Sequence, residues 1–225
     1  MENSPLTEPR PLTSSPLAAA DPRLRFAKAV ALAGAVLDGV RPEQQTDPTP
    51  CDAMDVAALE QHFVEVLRRV AALGRGDDPF ALSALDPSDD VRESWAAAAH
   101  AVQEAWTDDE VLERRFTLPW AELSGTGILG MYTSELTTHT WDLAMATGQS
   151  PAWDDDVLTV AFESIRRDLP SAGRQARFAE SAQAMPENRR AFPPPFADAV
   201  AVPDDAPLID RLVAWTGRPP GWRRA

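Results

Sequence analysis

Residues 135–148 read E-L-T-T-H-T-W-D-L-A-M-A-T-G, a run that favours a long helix ended by Gly148. On a helical wheel of about 3.6 residues per turn, the apolar side chains fall on one stripe: Ile128, Leu129, Tyr132, Leu136, Leu143 and Ala146. His139 lies inside the stripe, and Glu135 and Asp142 follow one edge. Side chains four residues apart share a helix face, so Glu135 and His139 project together. The stretch therefore predicts a core-facing helix that carries a carboxylate beside an imidazole.

Polar side chains in an apolar stripe cost stability unless a partner satisfies them. A divalent metal is one such partner, because neutral imidazole and carboxylate together suit Zn²⁺, Fe²⁺ or Ni²⁺. The alternative is a histidine that is hydrogen-bonded within the core, which is the commoner role of an isolated histidine. The zinc-protease motif H-E-x-x-H is absent from the sequence. Spacing alone leaves both interpretations open.

His62 is the third candidate ligand. It lies at the edge of the apolar stripe of an earlier predicted helix, formed by Val56, Leu59, Phe63, Val66, Val70 and Leu73. Packing the two stripes together could bring His62 to Glu135 and His139. Two imidazoles and a carboxylate with open coordination positions are typical of catalytic zinc sites rather than structural ones. The remaining histidine, His100, points away from its own stripe and is predicted to lie on the surface.

Four further side chains have a functional and a structural interpretation. Asp142 could orient an imidazole or accept a proton, or it could be a solvated carboxylate. Tyr132 could hydrogen-bond a ligand or simply pack in the core. Cys51 could approach the metal or be a small buried thiol. Trp141 points away from the stripe, towards either a neighbouring helix or a second copy of the chain in a homodimer.

The composition excludes several classes of partner. The 225 residues carry a net charge of −14, which argues against binding to nucleic acid or an anionic membrane, since both require clustered Lys and Arg. A single cysteine excludes an internal disulfide. No apolar run approaches the about 20 residues that span a bilayer, and the N-terminus shows no hydrophobic signal core. We therefore expect a cytoplasmic protein with small-molecule partners.

The other patterns predict helices joined by long connections. The first predicted helix spans residues 24–40, the second is capped by Asp52 or Asp55, and the third begins after Ser88 or Asp89. The fourth is capped by Ser124 or Thr126, and a short last helix spans residues 208–215. Between these two, a fifth helix is indicated by the apolar spacing of Val157, Ala161, Ile165 and Leu169. The run 107–127 contains too much Pro and Gly for a central strand and is interpreted as an ordered connection. Within the proline-rich segment 192–207, the F-P-P-P-F stretch cannot be regular. The predicted fold class is all-α, a bundle with long crossover connections and short additional C-terminal helices.

The predicted domain organisation has three parts. Residues 1–22 are rich in Pro, Ser and Thr and predict a disordered tail. Residues 23–217 form the helical domain, and 218–225 form a C-terminal tail.

Three segments resemble one known family. They read T-P-C-D-A-M-D-V-A-A-L-E-Q-H (49–62), E-L-T-T-H-T-W-D-L-A-M-A-T-G-Q (135–149) and V-P-D-D-A-P-L-I-D-R-L-V-A-W-T-G-R-P-P-G-W (202–222). In this order they are similar to the DinB-like metal-binding proteins related to the N-terminal domain of mycothiol-dependent maleylpyruvate isomerase. Met54 stands where that family usually has tryptophan.

The resemblance implies a DinB-like four-helix bundle that holds a divalent metal, usually zinc. It assigns the ligands to His62, Glu135 and His139. Relatives use the metal to bind the thiol of mycothiol. The implied activity is therefore that of a thiol S-transferase or an isomerase. Such an enzyme transfers a low-molecular-weight thiol to an electrophilic small molecule or isomerises that molecule. The alternative is a non-catalytic metal or small-molecule binding protein on the same bundle.

Overall fold

A computed structural model describes residues 21–86, 89–118, 120–184 and 196–224 of the chain. The fold is mostly helical, with one small two-stranded sheet. The helices are α1 (Pro22–Asp38), α2 (Val56–Arg75), α3 (Val91–Ala105), α4 (Glu110–Glu113), α5 (Gly125–Thr147), α6 (Asp155–Asp168), α7 (Arg174–Ala184) and α8 (Leu208–Trp215), and the strands are β1 (Arg115–Leu118) and β2 (Ala121–Ser124).

Three predictions fall wholly or partly outside the described residues. They are the disordered tail up to residue 20, the start of the third helix at Ser88, and the proline-rich stretch up to residue 195. The predicted tail also includes Asp21 and Pro22, which the structure describes. Pro22 is the first residue of α1, and the carboxylate of Asp21 caps that helix through the backbone N–H of Arg23.

The ends of the helices follow their capping residues. Asp55 caps α2 and Ser124 caps α5, in each case by accepting a hydrogen bond from a backbone N–H three residues further on. Gly148 follows α5 with φ of 72°, a left-handed conformation that favours glycine. The predicted start of the third helix at Asp89 is wrong by one residue. Asp90 caps α3 instead, because its carboxylate accepts hydrogen bonds from two backbone N–H groups of the first turn.

The main core lies between α1, α2, α3 and α5. Helix α2 packs on α3, α1 packs on α5 and contacts α3, and α5 also contacts α2 and α6. Many of the large, fully buried apolar side chains come from α2 and α5: Leu59, Phe63, Leu67, Ile128, Leu129, Leu136 and Leu143. The two stripes predicted from the sequence therefore face one core, and polar side chains at their edges are brought close to each other.

The ordered connection predicted over residues 107–127 contains a pair of strands that was not predicted. Strands β1 and β2 pair as an antiparallel hairpin within this run. Phe116 and Leu118 are buried on one face of β1, and Phe116 stacks on Trp106 with ring centroids 5.9 Å apart.

A smaller second core joins α6 to α8. Its buried members are Leu158, Ala161, Phe162, Ile165 and Leu212. The backbone N–H of Val200 donates to the carbonyl of Ala214 at 2.9 Å, which ties the end of the proline-rich segment to α8. Helix α7 was not predicted, because its sequence R-Q-A-R-F-A-E-S-A-Q-A has a single large apolar residue. Among the described helices, each is either too short or too polar to cross a bilayer.

Candidate metal centre

The three predicted ligands converge between α2 and α5. One ligand atom from each of His62, Glu135 and His139 lies within 4.8 Å of the other two. His62 Nε2 is 3.3 Å from Glu135 Oε1. The ring centroids of the two histidines are 4.8 Å apart and their planes meet at 80°. Two nearly perpendicular imidazoles beside one carboxylate form a compact set of nitrogen and oxygen donors.

The set of ligands is buried on one side and accessible on the other. His139 is 6% exposed and belongs to the core side of α5. The side chains of His62 and Glu135 are 19% and 23% exposed. Solvent therefore reaches the site from the side of His62 and Glu135.

Hydrogen bonds among the buried side chains of His139, Asp142 and Arg218 orient the ring of His139. His139 Nδ1 lies 2.9 Å from Asp142 Oδ2. Arg218 binds the same carboxylate with two hydrogen bonds, from Nε to Oδ1 at 2.7 Å and from Nη2 to Oδ2 at 2.8 Å. Asp142 is completely buried and Arg218 nearly so. Because Asp142 accepts from Nδ1, the other ring nitrogen, Nε2, is left to face a ligand.

The local electrostatics set the protonation states of these groups. Burial alone would raise the pKa of Glu135, but its hydrogen bond with His62 and the nearby positive charges lower it below the usual value. Burial lowers the pKa of His139, and its hydrogen bond with Asp142 offsets only part of that effect. Near neutral pH, Glu135 is therefore an ionised carboxylate and His139 a neutral imidazole. These are the forms in which the two side chains bind metals.

The carboxylate of Asp142 is also ionised. Burial would raise its pKa, but the charge of Arg218 and the hydrogen bonds from His139 and Arg218 lower it. Both of its oxygens are engaged and neither is exposed. Of the two roles predicted for Asp142, this arrangement favours orienting the imidazole over accepting a proton from a substrate.

Tyr132 and Arg69 lie on the two helices that carry the candidate ligands. Tyr132 is buried one turn before Glu135 on α5. Burial and the charge of Glu135 raise the pKa of Tyr132 well above its usual value, so its hydroxyl keeps its proton. Arg69 follows His62 by two turns on α2 and forms an ion pair with Glu65 at 3.1 Å. The charge of Arg69 contributes to the lowered pKa of Glu135.

Cys51 forms a second group with two of the same residues. Its sulfur, one nitrogen of His139 and one oxygen of Asp142 lie within 4.8 Å of one another. Both oxygens of Asp142 already bind Arg218, so this group does not offer a free carboxylate to a metal. Burial raises the pKa of Cys51 and favours the neutral thiol. These observations favour the interpretation of Cys51 as a small, partly buried thiol.

The two remaining predictions concern residues away from the ligands. Trp141 is buried, with 5% of its surface exposed. His100 is on the surface, as predicted, with its side chain 70% exposed and 3.5 Å from Glu104. Neither residue takes part in the site.

Arg218 is the contributor that the sequence reasoning missed. It was assigned to a C-terminal tail, yet it is buried and lies over the ring of Phe196 at 5.7 Å. Asp142 is 76 residues away in sequence. Helical spacing cannot predict such a contact. The sequence feature that pointed to a buried cation was Asp142 itself, since an acidic residue at the edge of a core stripe needs a cationic partner.

Comparison with known proteins finds relatives in Mycobacterium tuberculosis. The uncharacterized protein Rv0738 of strain ATCC 25618 / H37Rv is 30% identical to the chain over 201 residues, which cover 88% of this chain and 98% of the relative. The uncharacterized protein MT0763 of strain CDC 1551 / Oshkosh matches with the same identity and coverage. No family model matches the chain, and no solved structure matches it significantly. The chain belongs to the same protein family as these mycobacterial relatives.

Proposed function

We propose that the chain is a metal-dependent, DinB-like protein that uses a low-molecular-weight thiol such as mycothiol. The protein either transfers this thiol to an electrophilic small molecule or uses the thiol to isomerise the small molecule. The observation that carries the proposal is the convergence of His62, Glu135 and His139 at a site with one accessible side. The resemblance of the three sequence segments supports the choice of thiol. The contacts among α1, α2, α3 and α5 support a four-helix bundle of the DinB type.

The donor set fits a divalent ion, and zinc is the ion we propose. Two imidazole nitrogens and one carboxylate oxygen are a ligand set that catalytic zinc sites use, with a further position left for a substrate. His139 is neutral and Glu135 is ionised, as metal binding requires. The hydrogen bond from His139 Nδ1 to a carboxylate is the outer contact that commonly orients a metal-binding histidine.

A bound Zn²⁺ supplies positive charge that favours ionisation of a neighbouring thiol. The side chains of the protein prepare the site for this chemistry. Asp142 and Arg218 fix the ring of His139, and Tyr132 offers a protonated hydroxyl beside Glu135. In the proposed transfer the sulfur of the thiol bonds to an electrophilic carbon of a double bond, the electron pair of that double bond moves to the neighbouring atom, and this atom takes up a proton in place of the one that the thiol lost. In an isomerisation the carbon–sulfur bond then breaks, the double bond forms again, and the thiol is released with its proton.

The test uses the Co²⁺-substituted protein, because the absorption spectrum of Co²⁺ reports changes in its ligands. We expect titration with mycothiol to change the spectrum in the wild type. We also expect consumption of the thiol, in the presence of a panel of electrophiles, to depend on the metal. His100→Ala is the matched control, since this histidine lies on the surface and should leave both results unchanged.

An unchanged Co²⁺ spectrum at saturating mycothiol, with no turnover of any electrophile, would contradict thiol chemistry. If the protein nevertheless retained its metal, the result would favour the alternative of a non-catalytic metal or small-molecule binding protein.

A further inference from the structure

Two arginines on α6 and α8 lie against the same pair of aromatic rings. Arg166 follows Phe162 by one turn of α6, and its Cζ is 5.3 Å from the centroid of that ring. The same Cζ is 5.2 Å from the ring of Trp215 on α8, which meets the Phe162 ring edge to face. Arg211, one turn before Trp215, brings its Cζ to 5.0 Å from the Phe162 ring. The packing of α6 on α8 therefore holds both guanidinium groups beside one ring.

No carboxylate neutralises either of these guanidinium groups. Among the residues that the structure describes, Arg166 and Arg211 form neither a hydrogen bond nor an ion pair. The chain has 35 acidic residues against 21 basic ones, and other arginines, such as Arg23, Arg92 and Arg218, do bind carboxylates. Two like charges beside one ring repel each other, and a bound anion offsets that repulsion. The arginine pair therefore favours a ligand that supplies negative charge.

The contacts with the rings leave the hydrogen-bonding capacity of both arginines available. A guanidinium has five N–H donors in a planar fork, and none of the donors of Arg166 or Arg211 is used by the described residues. Arg166 is exposed and Arg211 is half-buried, so solvent reaches both groups. A phosphate group presents three acceptor oxygens and carries up to two negative charges, which matches two forks better than one carboxylate does.

We propose that Arg166 and Arg211 bind the phosphate group of a small molecule on the surface formed by α6 and α8. Phe162 and Trp215 position the two guanidinium groups, since the face of an aromatic ring attracts a cation. The indole of Trp215 is itself fixed by a hydrogen bond from its Nε1 to the carbonyl of Leu169 at 3.1 Å. None of these residues belongs to the candidate metal centre, so the inference does not depend on the proposed function.

The experiment measures the affinity of the purified full-length protein for inorganic phosphate by ³¹P NMR titration at low ionic strength, where screening is weak. We expect saturable binding by the wild type. Arg166→Gln and Arg211→Gln should each lower the affinity about tenfold, the effect of losing one charge-assisted hydrogen bond. Arg211→Lys should keep part of the affinity, because it keeps the charge and loses the planar fork.

Arg167→Gln is the matched control for the loss of one positive charge on α6. The guanidinium of Arg167 is already bound to Asp168 at 2.8 and 2.9 Å and to Ser164 at 3.1 Å, so this variant should bind phosphate as the wild type does. A loss of equal size in Arg166→Gln and Arg167→Gln would reveal a general effect of net charge and would overturn the inference. The absence of saturable binding in the wild type would overturn it as well.

A second comparison separates this surface from the candidate metal centre. We expect His139→Ala to bind phosphate as tightly as the wild type does. Phosphate binding that is lost in His139→Ala but retained in Arg166→Gln and Arg211→Gln would place the anion on a metal ion and would overturn the inference.

Titration with glycerol phosphate distinguishes a phosphorylated small molecule from the free ion. The ester should bind at least as tightly as inorganic phosphate, because it presents the same anionic group to the arginine pair. Binding of inorganic phosphate alone would contradict the assignment to a phosphorylated molecule.

Discussion

Arg218→Met should lower the free energy of unfolding by about 3–5 kcal/mol, because it leaves a buried carboxylate without its cationic partner. The carboxylate belongs to Asp142, which is completely buried and takes two hydrogen bonds from Arg218. Methionine keeps an apolar stem of similar length, so the change chiefly removes the guanidinium. Urea melts of the metal-free proteins measure the loss. The substitution should also weaken metal binding by about 10–100-fold, since Asp142 is no longer held against His139.

Two controls separate the buried pair from a general effect of losing an arginine. Arg75 pairs with Asp77 at 2.9 Å on the surface, so Arg75→Met should change the stability by no more than about 0.5 kcal/mol. In the Arg218→Met background, Asp142→Asn should recover much of the loss, because asparagine removes the unpaired charge and can still accept from His139. Equal losses for Arg218→Met and Arg75→Met would contradict the buried pair.

His62→Leu and His139→Leu should each abolish most of the stabilisation that zinc provides. Zinc at about 100 times its dissociation constant raises the free energy of unfolding of the wild type by roughly 2.7 kcal/mol through mass action. In the presence of a chelator the two variants should differ. His139→Leu removes a hydrogen bond from buried Asp142 and should cost roughly 1–3 kcal/mol. His62→Leu should leave the stability nearly unchanged, because its partner Glu135 is partly exposed.

Denaturant melts of each variant with zinc and with chelator provide the comparison. His100→Leu is the matched control, since its side chain is 70% exposed and should respond to zinc as the wild type does. Equal losses in His139→Leu under both conditions would identify this histidine as a structural core residue. Zinc-dependent stabilisation retained in both His62→Leu and His139→Leu would remove them from the site.

The helices and the convergence of His62, Glu135 and His139 were the predictable part of this protein. Helical periodicity fixes which side chains share a face, so it placed His139 inside one core stripe, Glu135 at the edge of the same stripe and His62 at the edge of another. Capping residues such as Ser124 likewise fix where a helix begins. These are local properties of ten to twenty residues, and local properties are what a sequence expresses directly.

The contributions from distant segments were not predictable in the same way. Arg218 reaches Asp142 because α8 packs on α6 and returns the chain to α5, and no local pattern specifies that path. The β1–β2 hairpin was missed because the Pro and Gly content of its run disfavours a central strand, and a two-stranded hairpin has no central strand. Helix α7 has few apolar residues, so its pattern resembled that of a connection.

The central claim is that one divalent ion binds per chain through His62, Glu135 and His139. Metal analysis of the purified full-length protein and of His62→Ala, Glu135→Ala, His139→Ala and the control His100→Ala tests it most directly. We expect about one zinc ion per chain in the wild type and in His100→Ala, and loss of most of the metal in each of the three other variants. Full occupancy in His139→Ala would contradict it.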